Sequence, residues 1–155
     1  MTKKKKQIEP AFGADSKAHP VLKQLFCYCF YKSALRMRWM YDEELDSLGL
    51  VAPQGGILKI LNHYGAISQN DLGRELCIDK ATMVMLLDGL EAKKFVRRVG
   101  DRNDRRVKLV EITAAGLRAI DDIAEIRKQV EERFLEPLTA EERKVLRQAM
   151  PKLLK

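Results

Sequence analysis

The 155-residue chain is poor in the residues that build most catalytic, metal and covalent sites. It has two histidines, His19 and His63, in unrelated contexts. Neither has a cysteine, histidine or carboxylate at metal-ligand spacing, so no zinc site and no other cofactor is expected. Three cysteines, Cys27, Cys29 and Cys77, are too few and too irregular for a disulfide framework, which favours a reducing, cytoplasmic setting. Cys27 and Cys29 form C-x-C, which on a helix turns their side chains about 200° apart. No run of eighteen apolar residues exists, so no transmembrane helix is expected. The opening MTKKKKQIEPAFGAD has lysines but no apolar stretch behind them, unlike a secretory signal. No G-x-S-x-G, phosphate-binding glycine loop or pair of catalytic acids stands out. The expectation is a protein that binds rather than catalyses.

What the chain has is positive charge, and it is concentrated. The formal net charge is +7 and the pI about 9.4. Between Lys93 and Lys108 stand Lys93, Lys94, Arg97, Arg98, Arg102, Arg105, Arg106 and Lys108, against only Asp101 and Asp104. Two β-favouring runs, Phe95–Val99 and Val107–Ile112, flank the polar turn GDRNDRR, a hairpin signal. Unpaired buried ions cost several kcal/mol each, so these cations must face water or a polyanion. A solvated edge hairpin is the plain alternative. The basic residues do not line one amphipathic helix, which puts nucleic acid ahead of a membrane surface as partner.

The rest of the chain divides around this hairpin. Residues 1–18 read as a flexible basic tail, with Lys3–Lys6 repelling one another. Residues 19–50 hold a long helix from about Pro20 to Leu48, with apolar residues at threes and fours and Gly49 as its stop. Its aromatic side chains occupy more than one face, which calls for a second subunit as cover. Residues 51–112 read as helix, short helix, turn, capped helix and hairpin. Pro53 opens the first helix, which runs to Tyr64; Ser68 caps the short one, with Asp71 three residues on; Asp79 caps KATMVMLLDGLEAKK. Residues 113–155 hold a helix over Leu117–Phe134, a break at Pro137 and a last helix. Thr139 and Glu142 form a capping box there, and Pro151 ends or kinks it. The expected fold is mainly α with a small β-hairpin wing: a winged helix-turn-helix core flanked by long N- and C-terminal dimerisation helices. In such a core the second helix of the pair docks in the major groove and the wing reaches a minor groove.

The run from Leu72 to Gly116 resembles the MarR family of bacterial regulators. The specific element is Asp101-x-x-Asp104-x-Arg106 followed by Leu109-x-x-Ile112-Thr113-x-x-Gly116, which is similar to that family's wing, strand and Thr-capped helix with a glycine one turn on. The architectural similarity extends over Pro20–Leu154. The resemblance implies a cytoplasmic homodimer that binds pseudo-palindromic double-stranded DNA, usually as a repressor, and that is released by a small aromatic or phenolic ligand. It also implies that Asp104 orients Arg106. A guanidinium at position 106 suits the narrow minor groove, while Arg97, Arg98, Arg102 and Arg105 suit phosphate. A winged protein- or RNA-interaction module is the rival reading.

The presumed recognition helix departs from the family's habit. Met83, Leu86, Leu87 and Leu90 form its buried face, leaving Lys80, Thr82, Val84, Met85 and Gly89 outward. The family often places Ser or Thr where Val84 stands, Arg at Met85 and a polar residue at Gly89. Val84 and Met85 can touch thymine methyls but cannot form forked hydrogen bonds to guanine. Readout is left to Lys80 and Thr82, to nearby Gln69 or Asn70, or to shape recognition by the wing. The resemblance places a ligand between the dimer helices and the winged core, where Phe30, Met37, Trp39, Tyr41, His63 and Tyr64 are candidates; a packed core explains them equally. Cys27, with Tyr28 and Tyr31 nearby, falls one residue away from where the family's peroxide-sensing branch has its reactive cysteine, a place taken here by Phe26, so redox sensing ranks below ligand sensing and below a plain structural cysteine.

Overall fold

The computed structural model describes residues 20–100 and 108–154. The basic tail with Lys3–Lys6 and His19, and the wing tip with Arg102, Asp104, Arg105 and Arg106, lie outside the described residues. The elements run α1 (Phe26–Leu45), α2 (Ala52–Tyr64), β1 (Ile67–Ser68), α3 (Gln69–Leu76), α4 (Lys80–Ala92), β2 (Val96–Gly100), β3 (Lys108–Ile112), α5 (Ala114–Leu135) and α6 (Ala140–Ala149). Among the described residues no helix is long and apolar enough to cross a membrane.

Packing divides the chain within α1, between Met40 and Tyr41, into two compact units. The first is shorter in helix than expected. A 3-10 turn at Leu22–Gln24 is followed by Leu25 in an extended conformation, so α1 starts at Phe26 rather than at Pro20. The Cys29 thiol donates to the Lys23 carbonyl at 3.1 Å, and the rings of Phe26 and Phe30 stack with centroids 6.0 Å apart. Val21, Leu25, Phe26, Phe30 and Tyr31 keep their apolar surface exposed.

The second unit, Tyr41–Lys155, holds the winged core. Leu45, Leu50, Ile57, Leu58, Leu61, Leu72, Met83, Leu87, Leu90, Val96, Val110 and Ile123 pack into one cluster drawn from every element around the hairpin. α1 ends at Leu45, before another 3-10 turn and Gly49 with φ +61°. The first amide of α2 would be unsatisfied without help; Ala52 N–H donates to Asp42 Oδ1 at 2.6 Å. The caps read from the sequence are present. Ser68 accepts from the Asp71 amide, Asp79 from the Thr82 amide, and Thr139 forms a reciprocal box with Glu142. α6 stops at Ala149, with Met150–Leu154 continuing as a 3-10 turn through Pro151.

The sheet has three strands in the order β1-β3-β2, all neighbours antiparallel. β2 and β3 pair from Val96↔Ile112 to Gly100↔Lys108. The two-residue β1, read as a plain connection from the sequence, adds Ile67↔Val110 and Ser68↔Leu109 on the other edge of β3. It stitches the start of α3 to the hairpin.

Thr113 joins the hairpin to α5. Its amide donates to Phe95 O at 3.0 Å, its hydroxyl donates to Lys94 O at 2.6 Å, and the hydroxyl oxygen (Thr113 Oγ1) accepts the Gly116 amide at 3.1 Å. The chain passes so close that a Cβ on Gly116 would sit 2.2 Å from the Phe95 carbonyl oxygen. Glycine is required there by contact, not by its torsion angles.

Candidate nucleic-acid interface

α3 and α4 form the helix-turn-helix. Cys77 ends α3 in the left-handed region, with φ 51°, and two residues later Asp79 caps α4. Asp79 Oδ1 accepts the Thr82 amide at 3.0 Å and Oδ2 accepts the Thr82 hydroxyl at 2.6 Å. Those bonds, the side-chain one foremost, hold the Asp79 carboxyl below its usual range. The inner face of α4 is fixed by Met83, Leu86, Leu87 and Leu90, all buried as expected.

Gly89 does not face outward. Gln54 of α2, itself buried, donates from Nε2 to the Leu86 carbonyl at 3.0 Å and accepts the Val51 amide on Oε1 at 3.1 Å. A Cβ on Gly89 would lie 2.8 Å from that Nε2. Position 89 therefore makes room for the Gln54 amide, which locks the middle of α4 to the start of α2. This corrects the reading of Gly89 as an exposed position.

The outward residues of α4 are Lys80, Ala81, Val84, Met85, Asp88 and, at its end, Ala92, while Thr82 is half-buried. Met85 is 65% exposed and Val84 37%. Gln69, half-buried, and Asn70, exposed, line a cleft of about 290 Å³ between α3 and α4 together with Arg74, Cys77 and Lys80. The structure thus brings Gln69, Asn70 and Lys80 together and leaves Val84 and Met85 on the open helix face beyond them.

The two described wing arginines are not bare cations. Arg97 meets its cross-strand partner Glu111, with Nε donating to Oε2 at 2.8 Å. Arg98, expected on a phosphate, reaches back to α4. Its guanidinium pairs with Asp88 at 2.6 Å and with Glu91, while its amide donates to Glu91 Oε1 at 3.1 Å. Partial burial alone would lower the Arg98 pKa; the hydrogen bonds its guanidinium donates to the Asp88 and Glu91 carboxylates, with their charges, outweigh it and raise the pKa. Asp88, Glu91 and Glu111 lie outside the basic window counted in the sequence, which hid them. The only sequence signal was the spacing of Asp88 and Glu91, three apart on the helix just before the hairpin.

The candidate ligand residues fall in both units. Phe30 and Met37 belong to the first unit. In the second, Tyr41 packs against the core with its hydroxyl near Gly55. Burial raises its pKa, with Arg127 opposing and Glu131 adding to the shift. His63 and Tyr64 are exposed at the end of α2, their rings edge-to-face at 4.5 Å. None of these five lines the cleft between α3 and α4.

The family model described as MarR family matches residues 50–108, from the start of the winged core to the first residue of β3. The transcriptional regulator HosA of Escherichia coli is 30% identical over 139 residues, which is 90% of this chain and 96% of HosA. The chain belongs to the MarR family. It is a MarR-family transcriptional regulator by that kinship. YwhA of Bacillus subtilis, an HTH-type transcriptional regulator, is 30% identical over 64% of this chain and 72% of its own length. Among solved structures, the MepR–DNA complex of Staphylococcus aureus superposes with a TM-score of 0.70 at 26% identity, covering 83% of this chain and 96% of MepR. The mainly helical winged fold with a small antiparallel sheet is that of the MarR neighbours.

Proposed function

We propose that this MarR-family regulator binds double-stranded DNA as a homodimer, placing α4 in the major groove of each half-site and the β2–β3 wing against the flanking backbone. The observation that carries the reading is the juxtaposition of a capped, outward-facing α4 with a strongly basic hairpin tied to it through Arg98. The kinship with MepR, described in complex with DNA, supports it. Lys80, Thr82, Val84 and Met85, with Gln69 and Asn70, are assigned to the groove; Arg97, Arg102 and Arg105 to phosphate; Arg106 to the minor groove, oriented by Asp104. Arg98 is assigned to holding the wing.

The homodimer is supported by exposed apolar side chains near both ends of the described chain, Phe26, Phe30 and Tyr31 in one unit and Val145, Leu153 and Leu154 in the other. Two copies present two recognition helices, which suits a pseudo-palindrome. A dimer seated across an operator that overlaps a promoter excludes polymerase, so repression is the regulatory sign proposed. Release of the DNA by a small aromatic ligand is proposed as the mode of control.

Binding-site selection with the purified protein on a randomised duplex library, repeated at two salt concentrations, tests the reading. Enrichment of an inverted repeat with salt-sensitive affinity is expected. Arg106→Ala is expected to cost about 1–3 kcal/mol on the selected site, and Asp104→Ala to weaken binding despite removing a negative charge. Equal affinity for single strands and duplex would sink the proposal in favour of an RNA- or protein-binding wing.

A further inference from the structure

The outward face of α4 is apolar where a helix that reads base edges by hydrogen bonding carries its donors. Ala81, Val84 and Met85 stand three and four residues apart and all are exposed, on the side of the helix opposite Met83, Leu86, Leu87 and Leu90. At 100° per residue they form one contiguous strip. None of the three belongs to the buried cluster.

The polar groups flanking this strip are already engaged. The Thr82 hydroxyl donates to Asp79, and Asp88 is held by Arg98. Gly89 faces Gln54. Lys80 offers a single ammonium at the helix start, a point charge rather than a fork. Over its middle two turns, then, α4 presents methyl and thioether surface with no free forked donor. The Arg98 clamp also offsets the charge of Asp88 and Glu91, so an anion can approach the helix at that point.

We propose that Ala81, Val84 and Met85 form an apolar reading surface for the 5-methyl groups of thymine, so that the chain selects half-sites by methyl contact rather than by hydrogen bonding to guanine. This rests on the DNA-binding reading above. In the major groove the C5 methyl of thymine is the apolar feature of the base edges, and a methionine side chain adapts its shape to such a target. The chemistry is shared by 5-methylcytosine; thymine is the assignment made here.

The experiment uses the full chain and the duplex it selects. Each thymine of the half-site is replaced in turn by deoxyuridine, which keeps every hydrogen bond and removes only the methyl. About fourfold weaker binding is expected at each contacted position, the equivalent of one buried methyl. Met85→Ala, at an exposed position, is expected to stay folded and to lose the thymine–uracil difference at the position or positions that Met85 contacts, keeping it where Ala81 or Val84 makes the contact. A second selection, from a library containing 5-methylcytosine, separates the two sources of the methyl. Enrichment of thymine supports the proposal, and preference for 5-methylcytosine over thymine overturns it. Equal affinity of the wild type for thymine and uracil duplexes, or a Met85→Ala loss that is the same on both, overturns the methyl reading while leaving DNA binding intact. Failure to bind any duplex sinks both.

Discussion

The outer face of α4 and the strand β2 are neighbours with opposite surfaces. The helix shows Ala81, Val84 and Met85, while the strand shows Arg97 and Arg98, each tied to carboxylates. On the strand even the cations are partly spent within the protein. The lesson concerns division of labour. Charge placed at the wing gives affinity for any phosphate backbone and carries no sequence information by itself. The helix, with no free forked donor over its middle turns, is proposed to discriminate there by methyl contact, with Lys80 as a point charge at its start. Each region has a distinct anchor, Thr113 and Gly116 for the strands and Gln54 for the helix, so they can be disturbed separately.

The largest effect is expected from removing the strand anchor. Gly116→Ala places a Cβ 2.2 Å from the Phe95 carbonyl oxygen, which is fixed by the Thr113 amide. Neither backbone segment can yield without breaking the junction of hairpin and α5. A destabilisation of about 3 kcal/mol or more is expected, seen as a fall in Tm of roughly 10 °C. An unchanged Tm would show that the approach is looser than the geometry requires.

That junction also shows what the sequence could and could not reveal. The Thr113-x-x-Gly116 pattern was visible, as were the caps at Ser68, Asp79 and Thr139, because each is a relation over three residues along one helix end. The reason for Gly116 was not visible, since Phe95 lies far away in sequence. β1 escaped for the same reason: two residues carry no periodicity, and their partner is β3. Gly89 was misassigned because a glycine adds nothing to an apolar pattern, and only the buried Gln54 amide reveals which way it faces. Arg98 was counted as free charge because its partners, Asp88 and Glu91, sit one element earlier. The start of α1 was placed too early because apolar spacing continues through Leu22 and Leu25 although the backbone there does not.

An intermediate effect separates the two adjacent arginines. Arg97, largely exposed beside Glu111, is proposed to contact phosphate. Arg97→Ala should lower affinity across all sequences and reduce the slope of log K against log salt by about 0.9, the value for one lost phosphate contact. Arg98→Ala should weaken binding by on the order of tenfold, about 1.4 kcal/mol, with the slope unchanged, because what it loses is the position of the wing. Adding Asp88→Asn and Glu91→Gln to Arg98→Ala should recover part of the loss by removing two stranded carboxylates. A reduced slope for Arg98→Ala, with no recovery, would return Arg98 to the phosphate-contacting set.

The smallest effect lies at the start of the helix and depends on pH. Asp79 accepts two hydrogen bonds from Thr82, and its folded-state pKa is lowered from the ordinary aspartate value. A carboxyl whose pKa is depressed on folding binds protons more weakly in the folded state than in the unfolded one. It therefore contributes stability that is fully present above the unfolded value, near pH 4, and is lost as pH falls through the lower folded value. Asp79→Asn keeps a capping oxygen but has no proton to gain. The wild type should be the more stable protein at pH 7, and the gap in Tm between the two should narrow as pH drops below about 4. Helix signal in far-ultraviolet circular dichroism, followed at both pH values, reads the difference. Because Asp79 is exposed, salt should shrink the charge component at pH 7, whereas the hydroxyl–carboxylate bond itself should persist. A gap independent of pH would mean that Asn and Asp cap α4 equally well and that the lowered pKa has no bearing on the stability of the reading helix.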